Sequence, residues 1–465
     1  MTARGVLLLA GLAAGCAVGP DYRSPEPGAP PVFESAAGVG LQPGIPDADW
    51  WRGFNDATLA TLVERAAASN YDIRIATANL RASRALLAGG RLELLPIVTA
   101  QASANREKQS SAVGLPFTLD DSYYDAGFDA SWEIDVFGRV RRSVEALGAD
   151  YESEEARYRD TLRSVIAEVA RTYVELRGIQ YRLAVASQNT KNQVETYELT
   201  LALLEGGRGT DLDIARALAQ LETTRSSIGP LQAAEVEAIN RLALLAGGPT
   251  AEFRALLGTR DELPRPPQFI AVADPATMLR RRPDIRAAER QVAAATARTG
   301  VAVADYFPRV TLTGSGGWRG TSLSDLGDSN AERYFFGPRI SWAAFDMGRV
   351  RAQVQASDAS SEAALATWEK TVLTALQETE SALNRYSRAL ESAARLRIAA
   401  EASTRAADLA RLRYRNGADS FLTVLDAERR LLEAEDLLAG AETDASLAAV
   451  SVYKALGGGW ETFAP

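Results

Sequence analysis

The sequence predicts a mainly α-helical chain with a small β part. It is folded as two tandem structural repeats of long helical hairpins, with four strands that three chains would pool into a 12-stranded transmembrane β-barrel. Three observations predict this. The junction WEIDVFGRVRRSVEA at 132–146 recurs as WAAFDMGRVRAQVQA at 342–356; residues 349–416 contain neither glycine nor proline; and four stretches of about ten residues alternate apolar with small or polar side chains.

The repeat runs through most of the 465 residues. YDIRIATANLRASRA at 71–85 matches PDIRAAERQVAAATA at 283–297 with an offset of 212, and Pro96 meets Pro308 at the same offset. From Trp132 onward the offset is 210, pairing Glu168 with Glu378, Gly207 with Gly417, Leu212 with Leu422 and Leu221 with Leu431. The two-residue slip falls between the strands, where a loop changes length at little cost. Self-similarity sustained over this distance marks one ancestral unit duplicated in tandem.

Taken in order, residues 1–15 place Arg4 before an apolar run and small residues before Cys16. This is the layout of a bacterial lipoprotein signal peptide, cleaved before Cys16 and followed by lipid attachment to that cysteine. Ala13 stands where such signals usually carry leucine, and an ordinary signal peptide with an incidental cysteine is the other reading. Ala17, which is not aspartate, points to the outer membrane. Residues 16–56, rich in proline and glycine, read as an extended N-terminal arm. Repeat 1 covers 57–248: a helix broken near Asn70, strands 96–107 and 123–134, a long helix 139–205 and a helix 211–246. A Pro-rich connector, 249–281, leads to repeat 2 at 282–458: a helix, strands 309–318 and 333–344, a long helix 349–416 and a helix 420–456. Residues 459–465 form a C-terminal tail.

The strands rest on period-2 alternation. Ala126, Phe128, Ala130 and Trp132 fall opposite Gly127, Asp129, Ser131 and Glu133, a pattern of transmembrane β-strands that small soluble hairpins share. The long helices rest on alanine, leucine, glutamate and arginine content and on apolar residues at coiled-coil spacing, such as Trp368, Val372, Leu376 and Leu383. A helix over 349–416 would be a rod of about 100 Å. The shorter helices of each repeat, end to end, supply the length that covers it. Four strands cannot close a barrel, and open edges are not tolerated in lipid, so oligomerisation must close it.

Composition excludes several functions. The chain has no histidine, which removes the commonest general base and metal ligand, and its one cysteine rules out an internal disulfide. A net charge of -9 spread over mixed-sign segments argues against nucleic acid. No phosphate-binding loop or catalytic constellation is visible, so the chain is read as no enzyme and as needing no cofactor or metal.

Several motifs together resemble the TolC-type outer-membrane efflux proteins, specifically their lipid-anchored NodT/OprM-like branch. They are CAVGPDYRSPEP at 16–27, WWRGFND at 50–56, RRPDIRAAE at 281–289, the two GRVR junctions, and LRYRNGADSFLTVLDAERRLLEAE at 412–435. The resemblance spans essentially the whole mature chain. It implies a homotrimer with its barrel in the outer membrane and a periplasmic α-barrel tunnel. It also implies docking with a periplasmic adaptor (membrane fusion) protein and an inner-membrane pump of the RND type. The implied function is a passive exit duct for drugs or other small molecules. The outer-membrane component of a type I protein-secretion system, and a non-conducting periplasm-spanning structural lipoprotein, remain as alternatives.

The resemblance also carries site residues. Leu422 and Asp426 match constricting rings at the periplasmic helix tips, with Asp419 beside them, and Arg413 and Tyr414 match positions that tether the tips shut. Arg216 stands where the second repeat has Asp426, so the rings would be threefold. Three leucines can close a bore by packing, and three carboxylates select cations. Asp419 and Asp426 also read simply as a helix cap and a solvated charge. Gly207, Gly209 and Gly417 suit tight reversals and close approach by an adaptor. Trp132, Gly138 and Arg139, repeated as Trp342, Gly348 and Arg349, read as the barrel–tunnel junction, where tryptophan ends a strand and glycine turns sheet into helix. An enzyme using Glu378 and Glu380 is disfavoured, because residues two apart on a helix point to different faces.

Overall fold

The computed structural model describes residues 17–108, 120–259 and 262–463. The signal peptide expected at 1–15, Cys16 and most of the loop between the first two strands of the repeat lie outside the described residues. In chain order the helices are α1 (Ala57–Ser69), α2 (Tyr71–Leu92), α3 (Arg139–Glu205), α4 (Asp211–Leu245), α5 (Thr250–Leu257), α6 (Pro275–Arg281), α7 (Pro283–Ala304), α8 (Met347–Arg415) and α9 (Phe421–Ala455). The strands are β1 (Leu41–Pro43), β2 (Ile97–Lys108), β3 (Asp120–Ile134), β4 (Ile270–Val272), β5 (Arg309–Gly320) and β6 (Glu332–Ser341). No helix among the described residues is long and apolar enough to cross a membrane.

Two compact units emerge, and each repeat contributes to both. The first gathers residues 1–26, Asn79–Glu155 and Ala287–Glu369. Its centre is one antiparallel sheet in the order β2-β3-β5-β6, so the hairpins of the two repeats are joined through their inner strands. Pairing of Phe128 with Gly316 and Trp132 with Leu312 puts the apolar positions on one face, where Tyr334 is 90% and Phe336 is 73% exposed. Asp129 with Ser315 and Ser131 with Thr313 set small and polar side chains on the other face. Within this unit residues 17–26 lie against the helices. The Val18 amide donates to the Phe137 carbonyl at 3.1 Å, Arg142 pairs with Asp21 at 2.6 Å, and the Tyr22 hydroxyl donates to Glu289 at 2.7 Å.

The second unit gathers Pro27–Ala78, Ala156–Arg286 and Lys370–Pro465. The break at Asn70 is a cap. Its side-chain oxygen accepts from the Asp72 and Ile73 amides at 2.8 and 3.2 Å, ending one helix and starting the next. Two expectations are corrected here. The N-terminal arm is not merely extended: it forms short 3-10 turns at Glu34–Ala37 and Trp50–Phe54 and the strand β1. The Pro-rich connector is likewise ordered, holding α5, β4 and α6, with β4 pairing in parallel with β1. Phe253, Leu257, Ile270, Val272, Met278 and Leu279 are all buried, in segments too short to show a period. The tail is packed too, with Phe463 stacked on Trp51 at 5.6 Å, beside Trp50 stacked on Tyr453 at 4.9 Å. Of the predicted stripe on the last long helix, Trp368, Val372 and Leu383 are buried.

Candidate functional site

In the second unit both long helices reverse by the same backbone device. After α3, Gly207 takes φ +69°, its N–H donates to the Leu204 carbonyl at 2.9 Å, and the Arg208 N–H donates to Leu203 at 2.7 Å. After α8, Gly417 also takes φ +69°, with Gly417 to Tyr414 and Ala418 to Arg413 both at 2.9 Å. Each pair satisfies carbonyls that a helix end leaves free, and needs a left-handed residue that only glycine supplies without strain. Gly209 acts differently. Its φ is not positive, but a Cβ there would lie 2.9 Å from the Leu204 amide nitrogen.

The side chains of the two turns differ. In the second, Tyr414 is buried with Phe421, Val424, Ala217 and Ala410, its ring 5.7 Å from that of Phe421. Burial pushes the Tyr414 phenol above its ordinary pKa. Arg413 pairs with Asp419 at 3.2 Å. Asp419 also accepts from the Thr423 hydroxyl and the Ser420 amide, both at 2.9 Å. These partners, the Thr423 hydroxyl foremost, hold its carboxyl below the usual carboxylate range. Asp419, one residue before the Ser420 N-cap, is not itself the helix cap, but it ties the start of α9 to the end of α8. Three and seven positions after Asp419, side chains return to water. Leu422 is 56% exposed, and Asp426, one turn later on the same face, is partly exposed and paired with Arg430 at 2.9 Å.

Beneath this tip lies a polar contact whose members are outside the set that the sequence singles out. Glu428 is 2% exposed and accepts from the Thr196 hydroxyl at 2.6 Å and from Arg411 Nε at 2.8 Å. The signal was present. Phe421, Val424, Glu428 and Leu431 form one stripe with coiled-coil spacing, and an acid in such a stripe must find a cation.

Between strands and long helices, the first repeat places the singled-out residues as follows. Trp132 lies near the end of β3 and donates to the Leu94 carbonyl at 3.0 Å, Gly138 takes φ +83°, and Arg139 pairs with Glu133 at 2.6 Å. Asp135 accepts from the Val140 and Arg141 amides at 3.1 and 2.8 Å, capping α3. The second repeat departs from the expectation. β6 stops at Ser341, before Trp342, whose indole nevertheless donates to the Tyr306 carbonyl at 3.0 Å, the equivalent of Leu94. Gly348 has no positive φ and already lies inside α8, because the conserved spelling GRVR is preceded by a one-residue shift of its aspartate: Asp346 here, Asp135 there. Arg349 pairs with Asp346.

The two glutamates considered for an enzyme have separate structural partners. Glu378 pairs with the buried Arg282 at 2.9 Å, while Glu380 accepts from the Ser35 and Glu34 amides at 2.8 and 3.1 Å. No cluster that could hold a metal ion occurs among the described residues.

Comparison with known proteins agrees with this architecture. A family model described as "Outer membrane efflux protein" matches residues 62–248 and 275–458. Outer membrane protein OprJ of Pseudomonas aeruginosa is 32% identical over 460 residues, covering 98% of this chain and 95% of that protein. The solvent efflux pump outer membrane protein SrpC of Pseudomonas putida is 33% identical over 96% of each. The solved structure of the outer-membrane channel OprN superposes with a TM-score of 0.91 at 42% identity, over 96% of this chain and all of that one.

Proposed function

The chain belongs to the outer membrane efflux protein family, and from this premise we propose that three copies form a passive duct, closed in its resting state by Leu422 and Asp426 at the helix-turn tips. The protein is an outer-membrane efflux channel with a periplasmic extension. One observation carries the proposed closure. The chain leaves Leu422 more than half exposed on the same helix face as Asp426, beside a turn pinned by Tyr414, Phe421 and the Arg413–Asp419 pair. Around a threefold axis, three such leucines would pack into a plug and three carboxylates would form a ring of like charge above it. The pinned turn supports a defined closed position rather than a loose one.

The same reading assigns further roles. Each chain's four strands would supply a third of a 12-stranded barrel, Cys16 would carry the lipid anchor, and no reaction is catalysed. Energy would come from an RND-type inner-membrane pump through a periplasmic adaptor seated on the tips. Space around Gly207 supports that contact, since a Cβ there would meet nothing within 4 Å.

Planar-bilayer recording of the purified full-length trimer tests the closure. Leu422→Ala with Asp426→Ala should raise single-channel conductance several-fold and make cells sensitive to large antibiotics that otherwise stay out. Absence of conductance from both the parent and this double variant would sink the duct; equal conductance would sink the closure.

A further inference from the structure

The polar face of the sheet carries an ion cluster that the tip does not explain. Asp125 on β3 is almost fully buried, and its two oxygens go to different arginines: Arg319 Nε on β5 at 2.6 Å and Arg333 Nη2 on β6 at 2.5 Å. Arg319 is the register partner of Asp125, but Arg333 is not; it stands opposite Gly317. To reach Asp125 its side chain crosses β5, a distance of two strand spacings or about 10 Å. Gly317 and its register partner Gly127 clear the way, with no side chains between the two charges. Their backbones are so close that a Cβ on Gly317 would lie 2.2 Å from the Ala126 carbonyl oxygen. One carboxylate thus gathers three strands from both repeats.

The balance of charge matters as much as the geometry. Two arginines and one aspartate leave one positive charge per chain, and more than half of the Arg319 side chain is open to solvent. Arg319 also lies 5.4 Å over the Tyr123 ring, which fixes its direction. Among the described side chains, the other acids on this face are placed apart from the pair. Glu107 on β2 accepts from the Tyr123 hydroxyl at 3.5 Å, Asp129 lies further down β3, and Glu133 is taken by Arg139. Mid-strand positions on the face include the small Ser131, Thr313, Ser315 and Gly337, with Phe335 opposite Ser315 and Arg339 opposite Thr311 as bulky exceptions. Arg319 is one residue from the end of β5 and Arg333 one residue from the start of β6, so the charged group sits at the loop end of the face, with Phe335 next to it on β6 and Arg339 towards the opposite end.

We propose that Asp125, Arg319 and Arg333 form a rigid positive collar at the outer end of the bore, which favours anionic solutes such as carboxylates over cations in the final stage of exit. This rests on the duct reading, because only then does the polar face line water. Fixed charge of one sign in a low-dielectric passage concentrates ions of the opposite sign. Asp125 both positions the arginines and sets the size of the field by cancelling one of them.

The test is the reversal potential of the full-length trimer in a potassium chloride gradient, with Leu422→Ala and Asp426→Ala in the background to hold the tip open. Arg319→Gln and Arg333→Gln should each lower the chloride-to-potassium permeability ratio by about twofold or more, and Asp125→Asn should raise it. Assembled, conducting arginine variants with an unchanged ratio, or arginine and aspartate variants that move it the same way, would overturn the collar. Should a single variant fail to assemble, the uncharged triple Asp125→Asn/Arg319→Gln/Arg333→Gln replaces it. An unchanged ratio in the triple, or its failure to assemble as a trimer, would assign the cluster to folding alone and also overturn the proposal. Absence of conductance in the background protein is a different failure: it removes the duct, and the collar with it.

Discussion

Replacing Glu428 with glutamine removes one charge from beneath the helix tip while keeping its shape. Breaking a buried ion pair by removing one partner costs about 3–5 kcal/mol, because the other charge stays behind. Here the cost is smaller. Arg411 is 22% exposed in its side chain and keeps Asp408 at 3.4 Å, and the glutamine can still accept from Thr196, so about 2–3 kcal/mol is expected. The loss falls on the contact between α3, α8 and α9 rather than on the whole molecule. Amide hydrogens of residues 405–430 should therefore exchange about 30- to 150-fold faster, with those of the sheet unchanged. On the proposed closure the tip should also open more often, seen as added conductance. A second variant separates charge from packing. Glu428→Met with Arg411→Met removes both partners and should recover most of the lost protection, since an apolar pair of similar volume leaves nothing buried and unpaired. Exchange at 405–430 within twofold of the parent for Glu428→Gln would refute the reasoning, as would a double variant worse than the single one.

Three further outcomes are expected. Asp419 has a folded-state pKa below its unfolded value of about 3.9, so its stabilisation of the tip is complete above that value and is lost as pH falls through the lower folded value. Proteolysis of the turn should accelerate in the parent as pH falls below about 4 and show no such step in Asp419→Asn. Gly207→Ala and Gly417→Ala place a side chain at φ +69°, and each should cost about 1–2 kcal/mol, measured as a lower thermal unfolding temperature of the trimer; an unchanged temperature would show that the turn relaxes. Cys16→Ser should abolish incorporation of labelled fatty acid, and equal labelling would move the anchor elsewhere.

Much of this architecture was legible because it depends on periods. Alternation in DASWEID and TLTGSGGW survives in the register of β3 against β5, and the absence of glycine and proline after Gly348 survives as one unbroken helix to Arg415. What escaped is what periods do not encode. The prolines mark the connector, yet Phe253, Leu257, Ile270, Val272, Met278 and Leu279, buried in pieces of three to eight residues, order it by tertiary contact. The pairing of Asp125 with Arg333, two strands away, depends on Gly317 of the strand between them, which no local window contains.

The two repeats also show that backbone and side chain have diverged at different rates. The turns at Gly207 and Gly417 share their φ and their hydrogen bonds, but Leu203 and Leu204 occupy the places of Arg413 and Tyr414, and Arg216 that of Asp426. A turn needs only glycine and two carbonyls, so duplication preserves it under many side chains. A tether needs partners on both sides of the turn, and only the second repeat has Asp419 facing Arg413 and Tyr414 against Phe421. If closure were a property of the fold, both hairpins would carry it. On the closure proposed above, the second hairpin, which alone carries this tie, would be the element that moves, and the first, capped by Thr210, the wall beside it.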